Sequence, residues 1–382
     1  MRWRCGEKPC YSTGYCTCVF ALTTLSGPTK VAGPYLTGLM KKKVIIPVRQ
    51  PLRDYLRKHR REIKLPLQYE DLDRFTQSVD LINHDGQDTL WQTIYYDEHE
   101  RDFILKGLCQ IYAMLNMGGD FSALEHLEVA RVDYCLFGNT RPFRIRIINR
   151  LNDNYDHFYV KKSDANRVYG LELEELLSPE KVRYLIDGPT LIEEHIAGIP
   201  GDDFFTSNLE DTTFNQIRMA KEFIKFNERC FVRLLGDMRA YNYVINITPD
   251  IEGSQFRFRA IDFDQQCYEG KKSFYLPQYF KENNPIIFLG IKHMDAKAVR
   301  QYQLEERTLI GNRIKVGNRR VRDLLKIISK DDISTPEKTR QLREELNEHH
   351  GTSRFSKCER MGEVLQAHLR LALEKEFHQS LG

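Results

Sequence analysis

The stretch LLGDMRAYNYVINI, residues 234–247, sets an Asp and an Asn five positions apart, Asp237 and Asn242, just ahead of a strand-like run. Twenty positions past the Asn, AIDFDQQ (residues 260–266) adds Asp262 and Asp264 at the end of what reads as a second strand. Singly, each is an ordinary polar turn or strand end. In this order, with a gap that a hairpin fills, they make a loop–strand–turn–strand–loop unit. A loop entering such a strand aims both side chains into one cleft. An Asp with no obligatory partner accepts a proton from an attacking hydroxyl. An Asn amide oxygen is a neutral hard ligand for Mg2+, and Asp262 supplies the charged ligand that Mg2+ needs while it keeps waters and phosphate oxygens. Phosphoryl transfer depends on such positioning and charge neutralisation more than on covalent chemistry.

Working outward, the segment before this unit changes period at Arg131. RVDYCLF (131–137) and PFRIRIIN (142–149) alternate or run β-branched, with Gly138 and Asn139 between them as a hairpin signal. HFYVKKS (157–163) predicts a third strand. DANRVYGLELEELLSPEKVRYL (164–185) returns to helical spacing with Asp164 as N-cap, and PTLIEEHIAG (189–198) predicts a further strand. DTTFNQIRMAKEFIKFNERC (211–230) predicts a helix capped by Asp211, with Ile217, Ala220 and Ile224 on one face and Phe214 at its edge. Cys230, just ahead of the polar loop, reads as a small buried side chain, and His157 and His195 as ordinary polar residues.

GDMRAYN followed by IDFD resembles the catalytic and metal loops of the protein-kinase-like superfamily, in the atypical branch similar to aminoglycoside phosphotransferases. The resemblance spans about residues 131–268. It implies an α+β, two-lobed protein-kinase-like fold, a small antiparallel-sheet lobe plus a mainly helical lobe, with extra N- and C-terminal helices. It implies Asp237 as the catalytic Asp, Asn242 and Asp262 as Mg2+ ligands, and Arg239 near the γ-phosphate. Lys161 or Lys162 would hold the α- and β-phosphates of ATP, braced by Glu172 or Glu175 of the following helix. Lys161 shares a strand face with Tyr159 and Lys162 with Val160; Lys161 is the preferred candidate. Glu194, His195 and Ile196 would lie in the linker that meets the adenine. The chain departs from the family at Leu235, where His is usual, in the single Gly of LFGNTRP (136–142), and at Asp264, where Gly is usual. Asp264 is thus either a further metal contact or a turn residue. No activation segment with an A-P-E-like end is visible. The implied activity is ATP- and Mg-dependent transfer of the γ-phosphoryl group to a hydroxyl of an unidentified protein or small-molecule acceptor. The alternatives are a pseudokinase acting as a nucleotide-binding scaffold, and a nucleotidyl (AMP) transferase on the same fold.

On either side of this core the sequence reads as helical. Within residues 40–130, DEHERDFILKGLCQIYAMLNMGGD (97–120) places Ile104, Leu108, Ile111 and Leu115 on one face and stops at Gly118 and Gly119. The basic stretches RDYLRKHRRE (53–62) and RIKVGNRRVRD (313–323) read as solvated helix faces. STPEKTRQLREELNEHH (334–350), with Pro336 in its first turn and Gly351 as its stop, and MGEVLQAHLRLALEKEF (361–377) predict closing helices. The expected organisation is a poorly structured extension at 1–39, a helical region at 40–130, a sheet lobe at 131–197 and a helical lobe at 198–382.

Composition sets the outer limits. In 382 residues, 41% apolar content fills sizeable cores, and a net charge of +3 gives no global field that demands nucleic acid. No apolar run is long enough for a transmembrane helix. Cys5, Cys10, Cys16 and Cys18 crowd the start in no paired zinc spacing, while Cys109, Cys135, Cys230, Cys267 and Cys358 stand singly, the usage of reduced thiols in a cytoplasmic protein. CVFALTTL (18–25) allows a signal-peptide reading; the favoured one is an extension ahead of a more natural start at Met40.

Overall fold

A basic amphipathic helix, a one-turn helix, one outward-facing hairpin and a long helix precede the alternating strands. The computed structural model describes residues 43–83, 86–207, 214–251 and 253–374; the expectations for 1–39 and the Asp211 cap lie outside them. Helices α1 (Gln50–Lys58) and α2 (Tyr69–Leu72) lead into strands β1 (Gln77–Ile82) and β2 (Asp88–Tyr95), then helix α3 (Glu98–Asn116). Strands β3 (Leu127–Cys135), β4 (Phe143–Asn149) and β5 (Asn154–Lys162) follow, then α4 (Ala165–Leu177), β6 (Tyr184–Asp187) and β7 (Thr190–Glu194). These seven strands form one antiparallel sheet in the order β1-β2-β3-β4-β5-β7-β6.

The strand period of two decides which face is covered. Phe143, Ile145 and Ile147 of β4, Phe158 and Val160 of β5, and Val132 and Tyr134 of β3 are buried on one face. Helix α3 covers it with Ile104, Leu108, Ile111 and Leu115, so its predicted face is the observed one. Arg144, Arg146, Tyr159 and Lys161 occupy the alternate positions, on the opposite face.

The rest of the chain is β8 (Ile199–Pro200), α5 (Gly201–Ser207), α6 (Gln216–Val232), the hairpin β9 (Tyr243–Asp250) and β10 (Gly253–Ala260), then α7 (Asn284–His293), α8 (Ala296–Val316), α9 (Asn318–Ile328), α10 (Pro336–His350) and α11 (Met361–Ala372). β8, β9 and β10 make a second, three-stranded sheet. A second apolar core joins α4 and α1 to α6, the β9–β10 hairpin and the C-terminal helices. The molecule is thus α+β, with a seven-stranded antiparallel sheet and eleven α-helices among the described residues. No helix among them is long and apolar enough to cross a membrane.

Three sequence expectations are corrected. Residues 40–130 are not all helical, because the β1–β2 hairpin extends the sheet through Trp91 opposite Cys135. Five of the six β1 residues are exposed, so no apolar alternation marks that strand. Helical spacing does not run to residue 185: α4 ends at Leu177, ahead of Ser178 and Pro179, and residues 184–187 pair with β7. A residue before proline is biased toward extended backbone, which is where Ser178 sits at ψ 159°. Helix α6 is capped by Asn215, and Ile217 in its first turn is exposed. Its buried face runs through Met219, Ala220, Phe223, Phe226 and Cys230. At the C-terminal end the predicted punctuation is observed: Pro336 opens α10 and Gly351 closes it at φ 58°.

Candidate active site

Residues 233–242 leave α6 and enter β9 through a loop fixed by backbone pairing and by the side-chain amides of Gln266, Asn283 and Asn242, which donate to its carbonyls. Leu235 donates its N–H to the Cys230 carbonyl and forms an isolated bridge with Gln266, while Cys267 donates to the Leu234 carbonyl at 2.9 Å. The loop before β9 and the loop after β10 are thereby laced together. Leu234 and Asp237 take positive φ, 55° and 60°, a region that costs energy for residues other than Gly and persists only where surrounding contacts impose it. At Asp237 those contacts are its N–H on the Phe274 carbonyl at 3.0 Å and its own carbonyl receiving the Arg239 N–H at 2.8 Å.

The hairpin register brings the predicted residues together. Tyr243 pairs with Ala260, and Ile261 donates its N–H to the Asn242 carbonyl at 3.0 Å, so Asn242 and Asp262 emerge side by side from one end of the hairpin. Asn242 donates its side-chain amide to the Asp237 carbonyl at 2.7 Å, which leaves its amide oxygen as the group offered to a cation. Arg239 clamps Asp237 through Nε to Oδ1 at 2.9 Å, reaches Glu282 at 2.8 Å and lies over the Phe280 ring. Burial pushes the Asp237 carboxyl up to about 6, against the pull of Arg239. Its enclosed position and then the Asp264 carboxylate push Asp262 upward, with Arg167 opposing.

The sheet supplies the second half of the site. Lys161 is buried and gives its Nζ to Glu193 Oε2 at 2.7 Å. Burial and then the neighbouring Arg167 guanidinium lower its affinity for its proton. Lys162 turns to the other face, over the Tyr69 ring, and does not belong to the site. Glu193 lies diagonally across from Lys161 in the β5–β7 register, where Lys161 opposes Leu191 and Tyr159 opposes Glu193. It also receives Nε and Nη2 of Arg167, from the first turn of α4. Burial raises the Glu193 carboxyl, but Arg167 and Lys161 outweigh it and hold the group at about 2. Arg167 Nη1 continues to Asp262 Oδ1 and Asp264 Oδ1, both at 2.9 Å. The row Lys161–Glu193–Arg167–Asp262/Asp264 therefore joins sheet, helix and hairpin.

This corrects the expected brace. Glu172 and Glu175 do not meet a lysine of β5, because they project from the opposite side of α4. Glu172 is bound by Tyr55, Tyr184 and Arg320, and Glu175 by Arg61 and Arg320. The stretch 313–323 is accordingly not simply a solvated face, since Arg320 turns inward to these carboxylates. In the segment after β7, Glu194 pairs with Arg183 at 2.6 Å and His195 Nδ1 meets the Tyr159 hydroxyl at 3.1 Å. The N–H groups of Glu194 and His195 are given to Arg183 and His157 carbonyls, so Ile196 carries the N–H still available there among the described residues.

Sequence reasoning missed Arg167 and Glu193. The signal for Glu193 was its alternation with Leu191 on an otherwise apolar strand; for Arg167 there was none, since a first-turn Arg is usually solvated. Among the described residues no three His, Cys, Asp or Glu side chains gather as a metal cluster. Two carboxylates and one amide oxygen suit Mg2+, which is bound through one or two carboxylates plus waters and substrate phosphates. Asp262 Oδ2 has no partner among the described residues, whereas both Oδ1 atoms are taken by Arg167. No protein-family model and no curated protein matches this chain.

Proposed function

We propose that the chain is a two-lobed, protein-kinase-like phosphotransferase that moves the γ-phosphoryl group of ATP to a hydroxyl. The observation that carries this reading is the convergence of Asp237, Asn242 and Asp262 at one end of the β9–β10 hairpin, facing the sheet that holds Lys161. The order of elements supports it as well: a hairpin, a lysine-bearing strand, a helix, two more strands and a linker precede the loop. Asp237 Oδ2 takes the proton of the acceptor hydroxyl as its oxygen attacks the γ-phosphorus, and the bond from that phosphorus to the β-bridging oxygen breaks to release ADP. A carboxyl held at about 6 is ionised at neutral pH yet basic enough to accept that proton. Arg239 fixes the orientation of Asp237 through Oδ1, and Lys161 meets the α- and β-phosphates. Asn242 Oδ1 and Asp262 would hold Mg2+, with Asp264 beside them; when bound, the ion neutralises phosphate charge.

One observation favours a second reading, a nucleotide-binding scaffold without turnover. Arg167 already sits between Asp262 and Asp264, where a cation would go. The two readings separate on incubating the protein with Mg2+ and ATP labelled at the α or the γ position, with Asp262→Ala as control. Label moving from γ supports the transferase, no transfer with retained Mg·ATP binding supports the scaffold, and label moving from α supports nucleotidyl transfer. Equal Mg·ATP binding by wild type and Asp262→Ala, or binding by neither, overturns the site itself.

A further inference from the structure

Arg167 is tied on every side. A guanidinium carries five N–H donors in a fixed planar fork. Here Nε and one Nη2 proton go to Glu193, the second Nη2 proton to the Ile261 carbonyl at 3.2 Å, and the two Nη1 protons to Asp262 and Asp264 at 2.9 Å each. All five donors are used, and the side chain is 3% exposed. A group fixed in this way cannot swing to a phosphate without abandoning a buried carboxylate, and breaking such a pair leaves a charge uncompensated in the interior. It is therefore a resident charge of the site and not a ligand-seeking one.

The charge balance shows what it replaces. Glu193, Asp262 and Asp264 bring three negative charges; Lys161 and Arg167 bring two positive ones. The cluster keeps one negative charge in excess, and the carboxylate oxygens with no partner among the described residues are Asp262 Oδ2 and Asp264 Oδ2. Asp264 is only 11% exposed, and its Oδ1 faces the guanidinium. One divalent ion on Asp262 and the Asn242 amide oxygen would suit that remainder. A second ion held by the Oδ1 atoms of Asp262 and Asp264 would take the place that Arg167 Nη1 now fills. We infer that Arg167 is a built-in cation standing in place of a second metal ion, held there by Glu193, so that the site takes one divalent ion per nucleotide. The inference rests on the Mg-nucleotide reading above and assigns Asp264 to Arg167 and not to the metal.

The test counts ions and needs no turnover. Mn2+ is titrated into the full chain with a non-hydrolysable ATP analogue, and bound ion is counted by electron paramagnetic resonance. Wild type is expected to bind one Mn2+, and Arg167→Gln two, the second with a changed hyperfine pattern as Asp264 becomes a ligand. Arg167→Lys, which keeps the charge, is expected to stay at one. Two ions in wild type, or one in a folded Arg167→Gln chain, would overturn the inference while leaving the nucleotide reading intact. If Arg167→Gln does not fold, the wild-type count and Arg167→Lys decide, two ions in either being the refuting result. Wild type binding no Mn2+ with the nucleotide is the separate outcome in which the reading itself fails and the inference falls with it.

Discussion

Asp237→Asn is expected to make the protein more stable at neutral pH while removing the proposed phosphoryl transfer. In the folded chain the Asp237 carboxyl is raised from 3.8 to about 6, chiefly by burial and despite the Arg239 clamp. The shift is net of that clamp, so it measures what the charged form costs in place. At about 1.4 kcal/mol per unit, roughly two units come to about 3 kcal/mol. Between pH 3.8 and about 6 the unfolded chain binds fewer protons at this site than the folded one, so the contribution of Asp237 to stability falls as pH rises through that window and is flat above it. Asn is neutral throughout and resembles protonated Asp. Urea unfolding of both chains should therefore give nearly equal stabilities at pH 4 and an advantage to the variant that grows to about 3 kcal/mol by pH 7, together with a loss of ~10²–10⁴ in phosphoryl transfer. A variant less stable than wild type at pH 7, or a stability difference that does not change between pH 4 and 7, would refute the argument that Asp237 is a buried, underneutralised base.

Three further outcomes are expected. Leu235→His, which installs the residue usual in the resembled family, should destabilise by about 2–4 kcal/mol, because Leu235 is fully buried in the core and the change trades its apolar packing for a desolvated polar ring; an unchanged urea midpoint would contradict this. Gly170→Ala would bring a Cβ to 2.8 Å from Phe263 Cβ and 3.3 Å from Gln266 Cβ. It should cost about 1–3 kcal/mol and weaken Mn2+ binding, since Phe263 lies between Asp262 and Asp264; calorimetry and ion titration read the two effects separately. His349 and His350, lowered to about 4 and about 3 first by burial, and His368, lowered well below 6.5 for the same reason, meet around Phe231. Below pH 6.5 the unfolded chain takes up protons that the folded chain refuses, so stability is lost as pH falls through that value. His350→Phe, whose Nε2 has no partner to lose, should flatten the wild-type decline between pH 6.5 and 4 in chemical unfolding.

Local chemistry explains what was legible. The strands 131–162, the helix over 98–116, the hairpin joining Asn242 to Asp262 and the caps Asp164, Pro336 and Gly351 are short-range features. Period, turn residues and caps act within a few positions, so they are written where they act. The hairpin alone places Asp237, Asn242 and Asp262 together, because two loops at one end of a two-stranded unit have nowhere else to go. Strand β1 escaped notice because it buries almost nothing, and β6 because Tyr184–Asp187 follows α4 after only a short loop and its apolar residues happen to continue the helical period.

Pairing of charges across elements was not legible. Lys161, Glu193, Arg167 and Asp262 come from a strand, its neighbour in the sheet, a helix and a separate hairpin, up to 101 positions apart. Which carboxylate each cation meets depends on sheet register and on the rotation of α4 about its axis. That rotation is set by Tyr169, Leu173 and Leu176, which bury in the core and turn Arg167 toward the hairpin and Glu172 toward Arg320. The sequence by itself determined the residue types and the local hairpin unit on which the proposed phosphate chemistry rests. Only the tertiary structure decided that Glu193, and not a glutamate of α4, holds Lys161, and that Arg167 reaches the carboxylates first. The physical reason is that a buried ion pair forms where packing brings two desolvated groups together, whatever their separation along the chain.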